Sequence, residues 1–339
     1  MDETTPIRVK SPADLLAVVP FVLGFHPEDS LVLLTTDGAA RQLHARIDLP
    51  QAQGEVEEMT AQLRQAVARA GARSVVLVAY SDDQCLALEA SSGLARRLHE
   101  DGVQVSAAIR ADGECWFCLD CDDDLCSWEG TPYDVSAHPV TARAVLDGRV
   151  TYRSRQELAD SLIGTDPDAT EAVSEASDEA MRRFQAVVRD GGGTQGDGPR
   201  QHLITEGHWL RRRIARYVET GEPFDPDEAG RALVAMVNIE VRDVAWAAIN
   251  RTDARAHVEL WRDLVRRTPV DLAAAPAALL GFAAWLAGDG ALAWCAIDRC
   301  QEAEPDYNLA RLLSQALAAA IDPATWQNIP GEELTLFGA

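Results

Sequence analysis

Lysine is almost missing from this chain. Lys10 stands alone among 31 basic residues, and 54 acidic side chains leave a formal net charge of −23 over 339 residues. A surface this acidic repels phosphate backbones and anionic headgroups, so bulk electrostatic binding to nucleic acid or to a membrane is disfavoured. The preference for arginine over lysine matches GC-rich coding. Long apolar runs are also lacking. The longest, "LAAAPAALLGFAAWLA" from Leu272 to Ala287, is interrupted by Pro276 and Gly281 and falls short of the roughly 20 residues that span a bilayer. A buried helix accounts for it better. The N-terminal "MDETTPIRVKSP" has neither the basic nor the apolar region of a secretory signal. The expected location is therefore cytoplasmic, where thiols stay reduced and seven cysteines do not suggest a disulfide framework. No GxGxxG or Walker-type loop follows any predicted strand, which argues against dinucleotide or NTP binding.

What is present divides into two halves. Ser11-Pro12-Ala13-Asp14 reads as a helix start, with Ser11 as N-cap, Pro12 in the first turn and Asp14 near the positive helix end. Pro20 is expected to break or restart that helix, and Gly24 suits the left-handed position beyond it. "SLVLLTT" reads as a buried strand, Asp37-Gly38 as a hairpin signal and "RQLHARIDL" as the returning strand. Two βα units follow: a helix over 55–70 and the strand "RSVVLVAY", then a helix over 83–101 and the strand "VQVSAAIR". "ECWFCLD" completes a hairpin through Asp112-Gly113. The pattern predicts an α/β domain, a mixed sheet covered by helices.

Beyond Pro139 only helices are expected. "DGGGTQGDGPR", Asp190 to Arg200, reads as a linker, which gives an α/β domain with trailing helices over 1–189, a linker over 190–200 and a helical domain over 201–339. In the helical half Leu280-Gly281, Gly288, Ala293, Ile297 and Pro305 fall at spacings that resemble one tetratricopeptide repeat. One period earlier Trp246-Ala247 fits partly, while Glu259 and Asp263 stand where small or apolar residues belong. A solenoid needs about three such units. The expectation is an all-α helix-hairpin domain, partly tetratricopeptide-like.

The stretch "SPADLLAVVPFVLGFHPEDSLVLL", supported by "VVLVAYSDD", "CDDDLCSWEGTP" and "AAWLAGDGALAWCAIDRCQEAEPDYNLARLL", resembles an actinobacterial family catalogued as domain of unknown function 4192. The pattern of that family runs Ser-Pro, an apolar helix, Pro, Leu-Gly-Phe/Tyr, x-Pro, two polar residues and Ser-Leu-Val. The resemblance spans nearly the whole chain and implies no activity. One departure concerns adjacent cysteines and prolines that the family pattern places before Glu-Gly-Thr-Pro, where Leu125-Cys126-Ser127-Trp128 stand here.

Three clusters carry candidate chemistry. His26-Pro27-Glu28-Asp29-Ser30 interrupts an apolar stretch. It reads either as a fixed turn, with Pro27 setting φ and Asp29 and Ser30 bonding nearby amides, or as a contact site with His26 and Glu28 as an acid/base pair. Ser81-Asp82-Asp83 directly follows a buried strand, the end at which α/β sheets tend to bind ligands. Yet Ser81 or Asp82 is also suited to cap the next helix, with Asp83 in its first turn.

"CWFCLDCDDDLC" sets Cys115, Cys118, Cys121 and Cys126 at C-x2-C-x2-C-x4-C spacing, four thiols that suit zinc or an iron–sulfur cluster. If Cys115–Leu119 is a strand, Cys115 and Cys118 point to opposite faces. The resemblance implies that Cys121 and Cys126 recur in the family and that Cys115 and Cys118 do not. The other readings are a redox-sensitive pair or unligated cysteines. Cys295 and Cys300 are read as packing residues.

Arg211, Arg212, Arg213 and Arg216 form the one locally basic stretch, expected to fan outward from a helix whose buried face is Leu210, Ile214, Tyr217 and Val218. They would dock an acidic partner or pair with the acidic surface of the chain itself. The expected function is thus a non-catalytic interaction or regulatory protein that binds another protein through its helical half. The alternatives are a small-ligand binder or enzyme with a site near the HPEDS turn and the Ser81–Asp83 strand end, and a zinc or redox sensor using the Cys115–Cys126 loop.

Overall fold

The computed structural model describes residues 11–36, 43–50, 55–120, 129–146, 151–190 and 198–337. The Asp37-Gly38 signal, Cys121, Cys126 and residues 191–197 of the glycine-rich stretch lie outside the described residues. Contacts divide the chain into residues 1–157 with 318–322, and residues 158–317 with 323–339.

The first unit is built on a six-stranded mixed sheet. Helix α1 (Pro12–Leu23) opens with a complete capping box: the Ser11 hydroxyl accepts from the Asp14 amide at 3.1 Å and the Asp14 carboxylate from the Ser11 amide at 3.0 Å. Gly24 ends it at φ 78°. Contrary to expectation, α1 runs through Pro20. The amide that proline lacks costs the helix one bond, and the burial of Leu15, Leu16, Val18, Val19 and Pro20 itself offsets it.

Strand β1 (Ser30–Thr35) lies between β2 (His44–Asp48) and β3 (Ser74–Tyr80), antiparallel to both. β4 (Gln104–Ala111) runs parallel to β3, and β5 (Cys115–Cys118) and β6 (Thr131–Pro132) follow antiparallel. Helices α2 (Val56–Ala70) and α3 (Gln84–Glu100) precede β3 and β4. Alternation sends Leu31, Leu33, Leu77 and Ala79 to one face, where they pack with Met59, Leu63 and Val67 of α2 and Leu94 and Leu98 of α3. α4 (Pro139–Leu146) packs on α1, and His138 just before it meets the Asp14 carboxylate at 3.1 Å. A short α5 (Arg155–Asp160) follows.

The second unit is helical: α6 (Pro167–Asp190), α7 (Gly198–Thr220), α8 (Pro226–Met236), α9 (Ile239–Ala247), α10 (Ala254–Arg267), α11 (Ala274–Leu286), α12 (Gly290–Ala303) and α13 (Asn308–Ala318). No strand follows β6 among the described residues. The acidic helix α6, which the sequence places before the linker, packs on α8 and so lies within this unit. Every residue of α11 is buried, as an uncharged apolar run too short for a membrane requires. Among the described residues no helix is long and apolar enough to cross one. α11 and α12 form a hairpin in which a side chain at Gly281 would meet Leu313 at 3.0 Å and the Ala293 carbonyl at 3.3 Å. Small residues therefore let these helices approach closely.

Candidate functional site

β1 begins where β3 ends, so Ser30 stands opposite Tyr80 and the two candidate clusters of the first unit meet at one end of the sheet. His26-Pro27-Glu28-Asp29-Ser30 is a fixed turn held by its backbone. The His26 amide donates to the Tyr152 carbonyl at 2.9 Å, the Tyr152 amide to the Gly24 carbonyl at 2.9 Å, and the Leu49 amide to the Asp29 carbonyl at 2.8 Å. Arg46 Nη2 reaches the Glu28 carbonyl at 3.3 Å. Asp29 takes φ 39°, a left-handed conformation that aspartate tolerates better than most residues. The His26, Glu28 and Asp29 side chains are exposed. Partial desolvation holds His26 below its ordinary pKa, with the Glu28 charge opposing. Ser30 departs from expectation: it is fully buried, and its hydroxyl has no partner among the described residues.

The Ser81 hydroxyl accepts from the Asp83 amide at 3.1 Å, and the Asp83 carboxylate caps α3 by accepting from the Leu86 amide at 3.0 Å. The cap is therefore Asp83 rather than Ser81 or Asp82. Ser81 also donates its amide to Ala111 and receives Arg110 Nη1 on its carbonyl, both at 3.0 Å. Asp82 is exposed, and among the described residues no hydrogen bond joins it to His26.

Arg110 is a residue that the sequence did not single out. It is 5% exposed, lies 3.9 Å above the Phe117 ring and stands 3.8 Å from Asp112. Gly130 closes this corner at φ 62°, and a side chain there would meet Phe117 at 2.6 Å. The Glu-Gly-Thr-Pro motif thus seats β6 on β5. Tyr80 Oη is buried without a partner among the described residues, and desolvation raises its pKa. Tyr133 is raised by burial and then by Asp112.

Cys115 pairs in register with Pro132 and Cys118 with Ile109. At a spacing of three along a strand they face opposite sides of the sheet, so β5 does not bring them together. Cys118 Sγ donates to Asp120 Oδ1 at 3.0 Å. Among the described residues no three ligand-type side chains converge as a metal site. Cys295 and Cys300 are buried, and burial pushes the Cys300 thiol up to about 12.

In the helical unit the arginine cluster splits. Arg213 does not fan outward. It is 6% exposed, pairs with Glu228 at 2.8 Å, donates to the Glu222 and Pro223 carbonyls at 3.1 and 2.7 Å, and stacks 4.2 Å from Phe224. Arg216 pairs with Glu222 at 2.6 Å, and Arg211 and Arg212 are exposed.

Arg211 borders a concavity of about 450 Å³ that no motif or spacing announces. Its apolar lining includes Ile214, Val218, Val244 and Ile329, and its polar groups are Arg211, Asp253 and His257. His257 is 1% exposed, Nδ1 has no partner among the described residues, and desolvation pushes the ring down to about 4. It is therefore neutral near pH 7. Its sequence signal is faint, since a histidine on an amphipathic helix is usually a packing residue.

The family profile described as a domain of unknown function, DUF4192, matches residues 12–324. The chain belongs to that family. DUF4192 thus takes in the whole sheet and nearly all of the helical unit, leaving the stretch from Thr325 onward outside the match. No curated protein and no solved structure is significantly similar to this DUF4192 chain.

Proposed function

We propose that this DUF4192 protein is a non-catalytic, cytoplasmic interaction or regulatory protein that binds another protein through its helical unit. The observation that carries this reading is a seat on α7, α9 and α11 against which the last described stretch, residues 323–337, already packs. That stretch consists of short 3-10 turns at Pro323–Thr325 and Gly331–Glu333, a connecting segment and a closing turn at 334–337. The close α11–α12 hairpin supports a tetratricopeptide-like character for this part. The strongly acidic composition supports a protein partner over nucleic acid.

The test is site-specific photocrosslinking in cells from Arg212 on α7 and, as a comparison, from Asp82 on the sheet unit. A partner protein is expected from Arg212 alone, with binding reproduced between purified components. Crosslinks from Asp82 alone would overturn the reading. They would place the partner at the strand end of the sheet unit, where Ser30 and Tyr80 are paired in register and each keeps a buried hydroxyl without a partner among the described residues.

A further inference from the structure

The 323–337 segment is bound to the helical unit mainly through side chains. The Trp326 ring packs against Phe282, Trp246 and Trp285, with centroids 4.9, 5.5 and 6.5 Å away. Leu334 and Leu336 are buried while Thr335 between them is exposed, in a turn closed by the Phe337 amide donating to the Leu334 carbonyl at 3.0 Å. Phe337 stacks on His208 at 4.5 Å. Gly207 makes room, since a side chain there would stand 2.5 Å from Leu336 and 3.2 Å from Phe337. One backbone contact is Arg200 Nη2 on the Thr335 carbonyl at 3.4 Å.

This occupant fits its seat incompletely. Ile329, Gly331 and Leu334 form one wall of the 450 Å³ concavity and leave it open. Trp246 Nε1, Trp326 Nε1 and His257 Nδ1 are all buried without partners among the described residues. Buried polar groups left unpaired weaken an association, and an unfilled hollow forfeits contacts. The seat residues Gly207, His208, Trp246, His257, Phe282 and Trp285 lie inside the matched family domain, and the anchors from Trp326 to Phe337 lie beyond it.

We propose that the seat is a docking groove for a peptide segment of a partner protein, closed in cis by residues 326–337 acting as a resident occupant. The partner peptide presents an aromatic anchor for the Trp246–Phe282–Trp285 cluster and a Leu-x-Leu-aromatic stretch for Gly207 and His208. Between them it carries a bulkier apolar residue and a hydrogen-bonding group for the hollow at His257. This inference rests on the interaction reading above and specifies the chemistry of the partner.

The probe is a fluorescein-labelled peptide of residues 325–337, followed by anisotropy with the full chain and with a Trp326→Ser/Leu336→Ser variant of it. The wild type is expected to bind at least tenfold more weakly than the variant, because its own segment competes at high effective concentration. Equal affinities within twofold, with the helical circular dichroism retained, would overturn the groove. Hydrogen exchange on the unaltered wild type covers the case of a variant that fails to fold. Amides over 327–337 are expected to exchange at least tenfold faster than those of α9 and α11. Exchange only together with those helices would make the segment part of the core and overturn the proposal. A wild-type dimer in sedimentation that the double substitution abolishes would overturn the partner peptide in favour of a second copy. If the groove binds the probe while photocrosslinks arise only from Asp82, the interaction reading fails and the groove stands.

Discussion

At the strand ends of the sheet unit, Ser81, Asp83, Arg110 and the backbone around Asp29 are bound to neighbouring caps and carbonyls. On the seat of the helical unit, His257 keeps a nitrogen without a partner among the described residues beside an open hollow, and Trp246 and Trp326 keep theirs where their rings meet. Both regions hold buried polar atoms without partners among the described residues, Ser30 and Tyr80 in the first and His257 in the second, but only His257 borders the 450 Å³ hollow. A polar cluster in a sequence is thus a poor guide to a site until the hydrogen bonds already made by its members are counted.

The largest expected effect tests whether the arginines of α7 are structural. Arg213→Met should destabilise the helical unit by about 3 kcal/mol, because it leaves Glu228 and two carbonyls without their shared partner. Denaturant unfolding followed by tryptophan fluorescence reads this, and a loss below about 1 kcal/mol would return Arg213 to the exposed, partner-facing set.

Next comes His257, whose burial pushes its folded pKa down to about 4, below the ordinary value of 6.5. Above pH 6.5 both states hold it neutral. As pH falls toward 4 the unfolded chain takes up the proton first, so stability is lost through that window. His257→Gln should remove about 2 kcal/mol of the acid sensitivity between pH 7.5 and 4.5, measured as the difference between wild type and variant. Parallel pH profiles would mean that the imidazole is solvated. Asp253 and Arg211, which face the same hollow, are common to both proteins.

A smaller effect sharpens the sheet side of the comparison. Asp83→Ala should cost about 1 kcal/mol as a lost helix cap, with Asp82→Ala close to neutral in the same melting experiment. Smallest of all, His26→Ala and Glu28→Gln should each stay within about 0.5 kcal/mol of wild type, as exposed residues do. A shift several times larger would mean that the turn is held by its side chains after all.

The fold was largely legible, because its signals are local. The Ser11 capping box, the apolar run of β3 and the helical spacing of α2 each depend on a few adjacent residues, and each appears where the sequence places it. Pro20 misled because burial of α1, a tertiary effect, outweighs the missing amide. The acidic helix α6 was grouped with the sheet because its packing on α8 leaves no mark in its own composition. At the candidate sites, the HPEDS interruption falls where α1 gives way to β1, with a bend at Asp29 and the Ser30 hydroxyl bonding no amide among the described residues. Arg213 was not distinguished from Arg211 and Arg212, since three consecutive arginines look alike until the helix fixes which one points inward. The seat was invisible for a further reason. Gly207, Trp246, His257, Phe282 and Leu336 come from five separated stretches, and no periodicity links them.

The strand order β2-β1-β3-β4-β5-β6 bears on how the sheet is made. Once β1 and β2 have paired, β3 joins the open side of β1, and β4, β5 and β6 each join the strand immediately before them. Every addition is to the same growing edge, and no strand has to insert between two that are already paired. A chain leaving the ribosome from its N-terminus can therefore complete this sheet outward in the order of synthesis, before the helical unit has emerged.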